Sequence, residues 1–403
     1  MKVVIAPDSF KESLPAGQVA EAVARGVLAV APDAVIDLVP MADGGEGTVE
    51  AMVRACGGRY EYADVFGPLG QPVRARYARL GRRSRQATAL LPGELGLSAV
   101  AGQDDAELSE IAVIEMAAAS GLQLVGPESR DPLRTTTFGT GQLILAALEA
   151  GARQVILGIG GSATCDLGAG AAQALGVTFL DAEGQSSVCG LAGGGLADIA
   201  RIDMSDRDER LEQVRIRIAC DVTNPLLGAS GAAAVYAPQK GATPEQAQRL
   251  EANLSHLAGL IHQQLGLDVT SLSGGGAAGG LGAGLVAFTG ATLEGGLELV
   301  AEAVGLRRRL AGADLCITGE GRLDASSAHG KTAVAIAKIA AELDVPTLCI
   351  PGTVTRDAPS EVFAGVNPLV NPQTLPEESL ARTADLLGER TAELLGHILR
   401  KGS

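Results

Sequence analysis

KVVIA (residues 2–6) meets Pro7 and Asp8 and passes through APDSFKES (6–13) into an alanine-rich helical stretch at 16–30. VIDLV (35–39) reads as the next strand and residues 47–56 as the next helix. Strands and helices alternating at this spacing make a βαβ start, whose crossover is right-handed and whose sheet is parallel. The pattern returns with DLCIT (314–318) and PTLCI (346–350) as strands around a helix at 331–343. Between these ends the texture changes. Residues 58–80, GRYEYADVF and QPVRARYARL around GPLG, alternate apolar and polar positions across a Pro-Gly turn, as a hairpin does. Residues 86–91 and 111–116 read as further strands of the same antiparallel group, and 81–110, with RRSR and QDDAELSE, as an exposed loop or hairpin tip. The expected fold is a discontinuous α/β domain from residues 1–65 and about 275–403, interrupted by an inserted α+β domain at 66–274.

Length and composition fit that division. A chain of 403 residues is too long for one ordinary core, and 46% hydrophobic residues exclude global disorder. With 2% aromatics, no tryptophan and 54 glycines, its cores must be close-packed from Ala, Val, Leu and Ile. A net charge of −15 argues against nucleic acid or an anionic membrane surface as a partner. The opening residues do not read as a signal peptide. The uncharged stretches 222–239 and 269–293 are broken by prolines and glycines, so neither supplies a membrane helix. Six scattered cysteines with no C-x-x-C pair suit reduced thiols in a cytoplasmic protein.

Polar, glycine-rich loops follow almost every predicted strand: APDSFKES (6–13), PMADGGEGT (40–48), GIGGSATCD (158–166), ACDVTNPLLG (219–228) and TGEGRLD (318–324). Ligands of open parallel sheets sit outside the carboxyl ends of strands, so a site belongs here. One Asp-Gly loop is an ordinary turn, but five carrying Asp or Glu are more than turns require. The chain uses 26 arginines and only six lysines, yet Lys11, Lys240 and Lys331 fall in polar or glycine-rich stretches. A compact ammonium acts as a point charge on phosphate, and lysines beside carboxylates suggest metal-assisted phosphoryl transfer.

Two named motifs compete with that reading. Residues 325–332, ASSAHGKT, lack the first glycine of a P-loop and begin six residues beyond their strand. Gly158-Ile-Gly160-Gly-Ser-Ala163 matches a dinucleotide fingerprint, with Asp181 placed as a ribose-binding acid. Against it, Asp166 puts a carboxylate close to where a pyrophosphate would bind, a position better suited to Mg²⁺. The four histidines lack metal-ligand spacing, and there is no G-x-S-x-G elbow. Residues 130–141, RDPLRTTTFGTG, read equally well as an anion cradle or as N-capping threonines.

Taken together, IAPDSFKESL, PMADGGEGTVEA, VIEMAAASGL, FGTG, ILGIGGSATCDLGAGAAQALG, ACDVTNPLLG, GAAAVYAPQKGAT, GGGAAGGLGAG and ITGEGRLD resemble the type I glycerate kinases, in order and along nearly the whole chain. The resemblance implies a two-domain α/β fold, with a Rossmann- or flavodoxin-like domain interrupted by a second one and the active site in the cleft. It implies ATP- and Mg²⁺-dependent phosphorylation of D-glycerate at the 2-hydroxyl, and it removes the dinucleotide reading of GIGGSAT. Departures stand at Leu167, where similar sequences carry glycine, at Ser326 and Ala333, and in a longer 82–109 connection.

Carried onto this chain, the resemblance makes Lys11, Asp166, Asp221, Glu320 and Asp324 the catalytic candidates. Ser9, Asp43, Glu46, Gly160, Gly161, Ser162, Thr164, Asn224, Arg322 and Lys331 are the substrate- and phosphate-binding candidates. Asp166 and Asp221 would hold Mg²⁺ or accept the hydroxyl proton, and Asp166→Asn should abolish turnover while leaving the fold intact. A nicotinamide-dependent oxidoreductase built on Gly158, Gly160 and Asp181, and a non-catalytic cleft-type binder, are the competing functions.

Overall fold

The structure, a computed structural model, describes residues 1–11, 13–81, 110–325, 327, 332–371 and 380–401. Along it run β1 (Lys2–Ile5), β2 (Val35–Leu38), β3 (Gly58–Phe66), β4 (Pro72–Leu80), β5 (Ile111–Glu115), β6 (Gln154–Gly158), β7 (Thr178–Leu180) and β8 (Arg201–Asp203). They are followed by β9 (Arg215–Ala219), β10 (Thr292–Glu294), β11 (Leu315–Thr318), β12 (Arg322–Leu323), β13 (Thr347–Cys349), β14 (Thr353–Val354) and β15 (Gly365–Val366).

The first sheet has the order β15-β13-β11-β1-β2, and every pairing in it is parallel. The chain therefore leaves β1 toward one edge and returns to β11 on its other side. The β1/β11 junction is the switch point of the sheet, where the outgoing loops diverge and leave a crevice. Both faces of β1 are covered, and its side chains alternate between two cores. Val3 and Ile5 pack with Val19, Val23 and Val27 of helix Ala16–Val30 and with Leu386, Leu387 and Leu395 of helix Thr383–Lys401. Val4 packs on the other side, with Met52 of helix Thr48–Cys56 and Val300 of helix Gly296–Ala303.

The second sheet has the order β10-β9-β6-β5-β4-β3. Its first three pairings are parallel and its last two antiparallel. The predicted hairpin is present, in continuous register from Gly58↔Leu80 to Phe66↔Pro72. Because a hairpin cannot be shared between sheets, all of β3 belongs here, and β10 joins the same sheet. The chain thus crosses between the two sheets around Gly57–Gly58 and after Glu294. β5 corrects an expectation. It touches the hairpin antiparallel at Ala78↔Val113 but runs parallel to β6 over its whole length, so it is the junction of the two patterns. The expected strand at 86–91 lies outside the described residues.

Helices Thr48–Cys56 and Gly296–Ala303 lie between the sheets. Ala78, Leu80, Val113 and Ile156 of the second sheet share one apolar cluster with Val4, Met52, Leu297 and Val300. A further core forms under helix Pro244–Leu265, whose Leu250, Leu254, Leu257 and Ile261 meet Phe179 and Phe288. That helix starts on a capping box, Thr243 with Gln246, has Pro244 in its first turn and stops at Gly266 with φ 73°. Among the described residues no helix is long and apolar enough to cross a membrane. Since the inter-sheet core is common to both halves, Met52→Ala is expected to remove about 2–5 kcal/mol of stability. Urea denaturation should then show one transition shifted as a whole; two separated transitions would contradict a shared core.

Candidate functional site

The loop after β2 is laid against the strand ends of the second sheet, and glycine makes the approach possible. Gly44 adopts φ 89°, and a Cβ there would collide with the Ala219 side chain at the end of β9. A Cβ on Gly158 would strike the Gly44 carbonyl, one on Gly296 the Asp43 carbonyl, and one on Gly160 would come within 3.0 Å of Gly45 Cα. Glu115, at the end of β5, fastens the same loop from a third strand. Its carboxylate accepts the Val49 N–H at 2.8 Å, in the first turn of a helix whose cap residue, Gly47, has no side chain to offer. Burial raises the Glu115 pKa and the Val49 N–H acts against that rise.

Between the Asp43–Gly45 segment and the ends of β6 and β9 lies a cavity of about 390 Å³, with Asp43, Gly160, Ser162, Asp221, Tyr236 and Lys240 in its wall. Asp221 accepts the Gly296 N–H at 2.7 Å. Burial pushes its carboxyl up to about 6 against the pull of that N–H, with the charges of Asp43 and Glu298 adding to the rise. Lys240 is only 2% exposed. Its Nζ donates to Ser162 Oγ and to the Thr164 carbonyl, both at 2.7 Å. Burial lowers it to about 8, while neighbouring acidic groups, Asp166 among them, oppose the fall. Tyr236 donates to Asn224 Oδ1 at 2.7 Å, which turns the Asn224 amide toward the Ser230 carbonyl at the rim.

A second group of polar residues gathers at the switch point. Asp8, just past β1, accepts the Thr332 hydroxyl and the Ser9 N–H, each at 2.6 Å. Burial raises its pKa most; Asp43 adds to the rise, and the Thr332 hydroxyl, the Ser9 N–H and Lys11 oppose it. Asp43 therefore acts electrostatically on both Asp8 and Asp221. Glu320, past β11, is buried and accepts the Ser327 hydroxyl at 3.0 Å. Ser9 and Glu46 line a small recess with Asp8 and the first turn of helix Ala16–Val30.

The sequence matches the model of the glycerate kinase family over residues 3–399. The chain belongs to that family. It is 49% identical over 352 residues to a glycerate kinase of Halalkalibacterium halodurans, covering 87% of this chain and 85% of that one. It is 47% identical over 357 residues to the glycerate 2-kinase of Escherichia coli strain K12, covering 89% and 86%. A crystal structure from Salmonella typhimurium LT2 assigned as glycerate kinase 2 superposes with a TM-score of 0.86 at 44% identity, over 100% of this chain and 99% of the other.

Within this family member, the predicted residues divide between the two places. Asp43, Gly160, Gly161, Ser162 and Asp221 meet at the cavity. Ser9, Lys11, Glu46 and Glu320 lie on the loops at the switch point, followed by Arg322 and Asp324, which pair with one another at 3.2 Å on the surface. Lys331 and Ser326 lie outside the described residues. Thr164 is buried, and its hydroxyl has no partner among the described residues. Asp8, Glu115 and Tyr236 were not among the candidates. Lys240 was flagged only through the scarcity of lysine.

Asp166 lies inside the protein. It is 0% exposed, and its carboxylate accepts the Thr137 N–H and hydroxyl at 2.8 Å, the Gly168 N–H at 3.1 Å and the Gly170 N–H at 3.4 Å. Its hydrogen bonds all turn into the protein, and through Thr137 it ties down the 135–137 turn. Thr135 and Thr136 donate to the Ala163 and Leu191 carbonyls, and Thr136 Oγ1 also accepts the Phe138 N–H at 3.2 Å, at the start of helix Phe138–Glu149. Asp181 closes its own turn, its Oδ1 accepting the N–H groups of Glu183 and Gln185. Asp166→Ala is expected to lower stability by about 2 kcal/mol or more, because it strands buried donors. A melting temperature equal to wild type would contradict that structural role.

The family departure at Leu167 also has a measurable consequence. Leu167 holds φ 50° with its side chain fully buried. Glycine there would relieve about 1–2 kcal/mol of backbone strain but forfeit about 3–5 kcal/mol of packing. Leu167→Gly should therefore destabilise by about 1–4 kcal/mol in thermal unfolding, and a gain in stability would show that strain dominates.

Proposed function

We propose that this chain is an ATP-dependent kinase that phosphorylates D-glycerate at its 2-hydroxyl, giving 2-phosphoglycerate and ADP. The observation that carries the reading is the placing, in the wall of one cavity, of the Asp221 carboxylate and the buried Lys240 ammonium. A small hydroxy acid needs both: a base for its hydroxyl and a cation for its charge. Asp221 accepts the hydroxyl proton as the oxygen attacks the terminal phosphorus. Its raised pKa brings it closer to working pH than an ordinary aspartate, as a general base requires. The nucleotide phosphates belong at the β1/β11 switch point, with Lys11, Ser9 and the open amino end of helix Ala16–Val30 as their partners.

Among the described residues there is no cluster of three or more metal-ligating side chains. A Mg²⁺ ion normally takes one or two carboxylates and completes its shell with phosphate oxygens and water, so the residues present fit it. Asp43 and Asp8, whose charges act on one another, would hold it in preference to Asp166. When bound, it neutralises charge on the phosphates. Because the transition state is loose, the residues of this chain contribute mainly position and charge. The cysteines are unpaired, which suits the cytoplasm.

A coupled assay with D-glycerate and ATP, reading ADP and then 2-phosphoglycerate through enolase, should register turnover; an absence of glycerate-dependent ADP would overturn the reading. The rate should fall as pH drops below about 6, since Asp221 is then protonated and cannot accept a proton. Asp221→Asn should lower kcat about 10²–10⁴-fold and leave the KM for ATP nearly unchanged. An unaltered kcat would remove Asp221 from the chemistry.

A further inference from the structure

We infer that Lys240 and Ser162 form the carboxylate subsite for the acceptor and so fix which way round the hydroxy acid lies in the cavity. The inference rests on the kinase reading above and adds an orientation to it. Lys240 is the only cationic side chain in the cavity wall among the described residues, where Asp43 and Asp221 are the charged groups beside it. An ammonium has three N–H groups. Two are taken by Ser162 Oγ and the Thr164 carbonyl, and the third has no partner among the described residues. No carboxylate touches it either: Asp166 acts on it only across space and gives its hydrogen bonds to Thr137, Gly168 and Gly170. A buried charge with no counter-ion in contact is expensive, and a bound anion reduces that expense.

Ser162 completes the subsite. Its oxygen accepts from Lys240, so its own O–H must donate elsewhere, and within the protein nothing described receives it. The serine lines the cavity beside the exposed backbone of Gly160 and Gly161. A carboxylate therefore finds a charged donor and a hydroxyl donor on one wall. Asp43 and Asp221 repel it from the other. A 2-hydroxy acid bound this way sends its hydroxyl toward Asp221. Lys240 is held by two hydrogen bonds and is nearly all beneath the surface, so it suits a carboxylate that stays put better than a phosphoryl group in transit. The titratable groups facing it are Cys165 and Asp166, and neither displaces it from an ionised state below about pH 8.

The test is steady-state kinetics from pH 6 to 9.5 on wild type, Lys240→Met and Ser162→Ala, with D-glycerate calorimetry on the same proteins in the absence of ATP. Lys240→Met should raise the KM for D-glycerate roughly 10- to 100-fold, the loss of a charge-assisted hydrogen bond, with the KM for ATP within about twofold of wild type. Ser162→Ala, which keeps the buried charge and is the milder change to the fold, should move the same constant in the same direction by less. In wild type the KM for D-glycerate should climb above pH about 8 as Lys240 loses its proton, and that climb should vanish in Lys240→Met. An unchanged KM for D-glycerate in both variants, or a rise in the KM for ATP instead, overturns the inference. Calorimetry separates this from failure of the kinase reading: glycerate that binds wild type and weakens in the variants upholds the subsite even if no ADP appears, and glycerate that binds all three alike refutes it.

Discussion

The arrangement depends on one contact, the backbone of Asp43–Gly45 lying directly on the ends of β6 and β9. Side chains at Gly44, Gly158 or Gly296 would hold the two sheets apart by at least a methyl group. Everything that matters to chemistry is downstream of that approach. It brings Asp43 from the first sheet to the same cavity as Asp221 and Lys240 from the second. It also makes Glu115 an inter-sheet cap for helix Thr48–Cys56. The glycine content of the chain is thus partly a site requirement, because a ligand-binding seam between two sheets needs backbone on both sides.

The contact also couples two sites of opposite character. Asp43 raises both Asp8 at the switch point and Asp221 in the cavity, so its own charge is felt in each. An anion or cation that settles beside Asp43 changes the protonation of both partners at once. Neutralising Asp43 removes one source of the rise at Asp221 and favours its ionised form. Burial stays the larger cause, so the effect tunes the base without creating it.

Much of this was legible in the sequence, and the reasons differ by residue. The βαβ start and the 58–80 hairpin declare themselves through period and turn chemistry, which are local. The loops after β1, β2, β6, β9 and β11 declare themselves through Asp and Gly, because polar groups at strand ends need space and hydration. What could not be read was burial. Asp166 and Asp221 sit in loops of the same composition, each following a strand, yet Asp166 is enclosed by Thr137 and two glycine amides while Asp221 meets the Gly296 and Leu297 amides and faces the cavity. That difference is set by the 135–137 turn, about 30 residues away in sequence from Asp166. Sheet membership is hidden for a related reason: β10 reads as part of the last segment until its parallel register to β9 is seen.

Lys240 shows how composition can stand in for contact information. In a chain where arginine outnumbers lysine about fourfold, a lysine two residues after a proline and directly before a glycine carries more meaning than its neighbours. The structure supplies the reason. The space bounded by Ser162 Oγ and the Thr164 carbonyl takes a point charge with donors on a slender stem, which an ammonium supplies and a broad planar guanidinium does not. The same reasoning explains why a strongly acidic protein can serve an anionic substrate. The net charge of −15 is spread over the surface and screened within about 8 Å at physiological salt, whereas a nearly fully buried ammonium acts at contact distance through little intervening water. Local desolvation, not overall charge, decides what the cavity attracts.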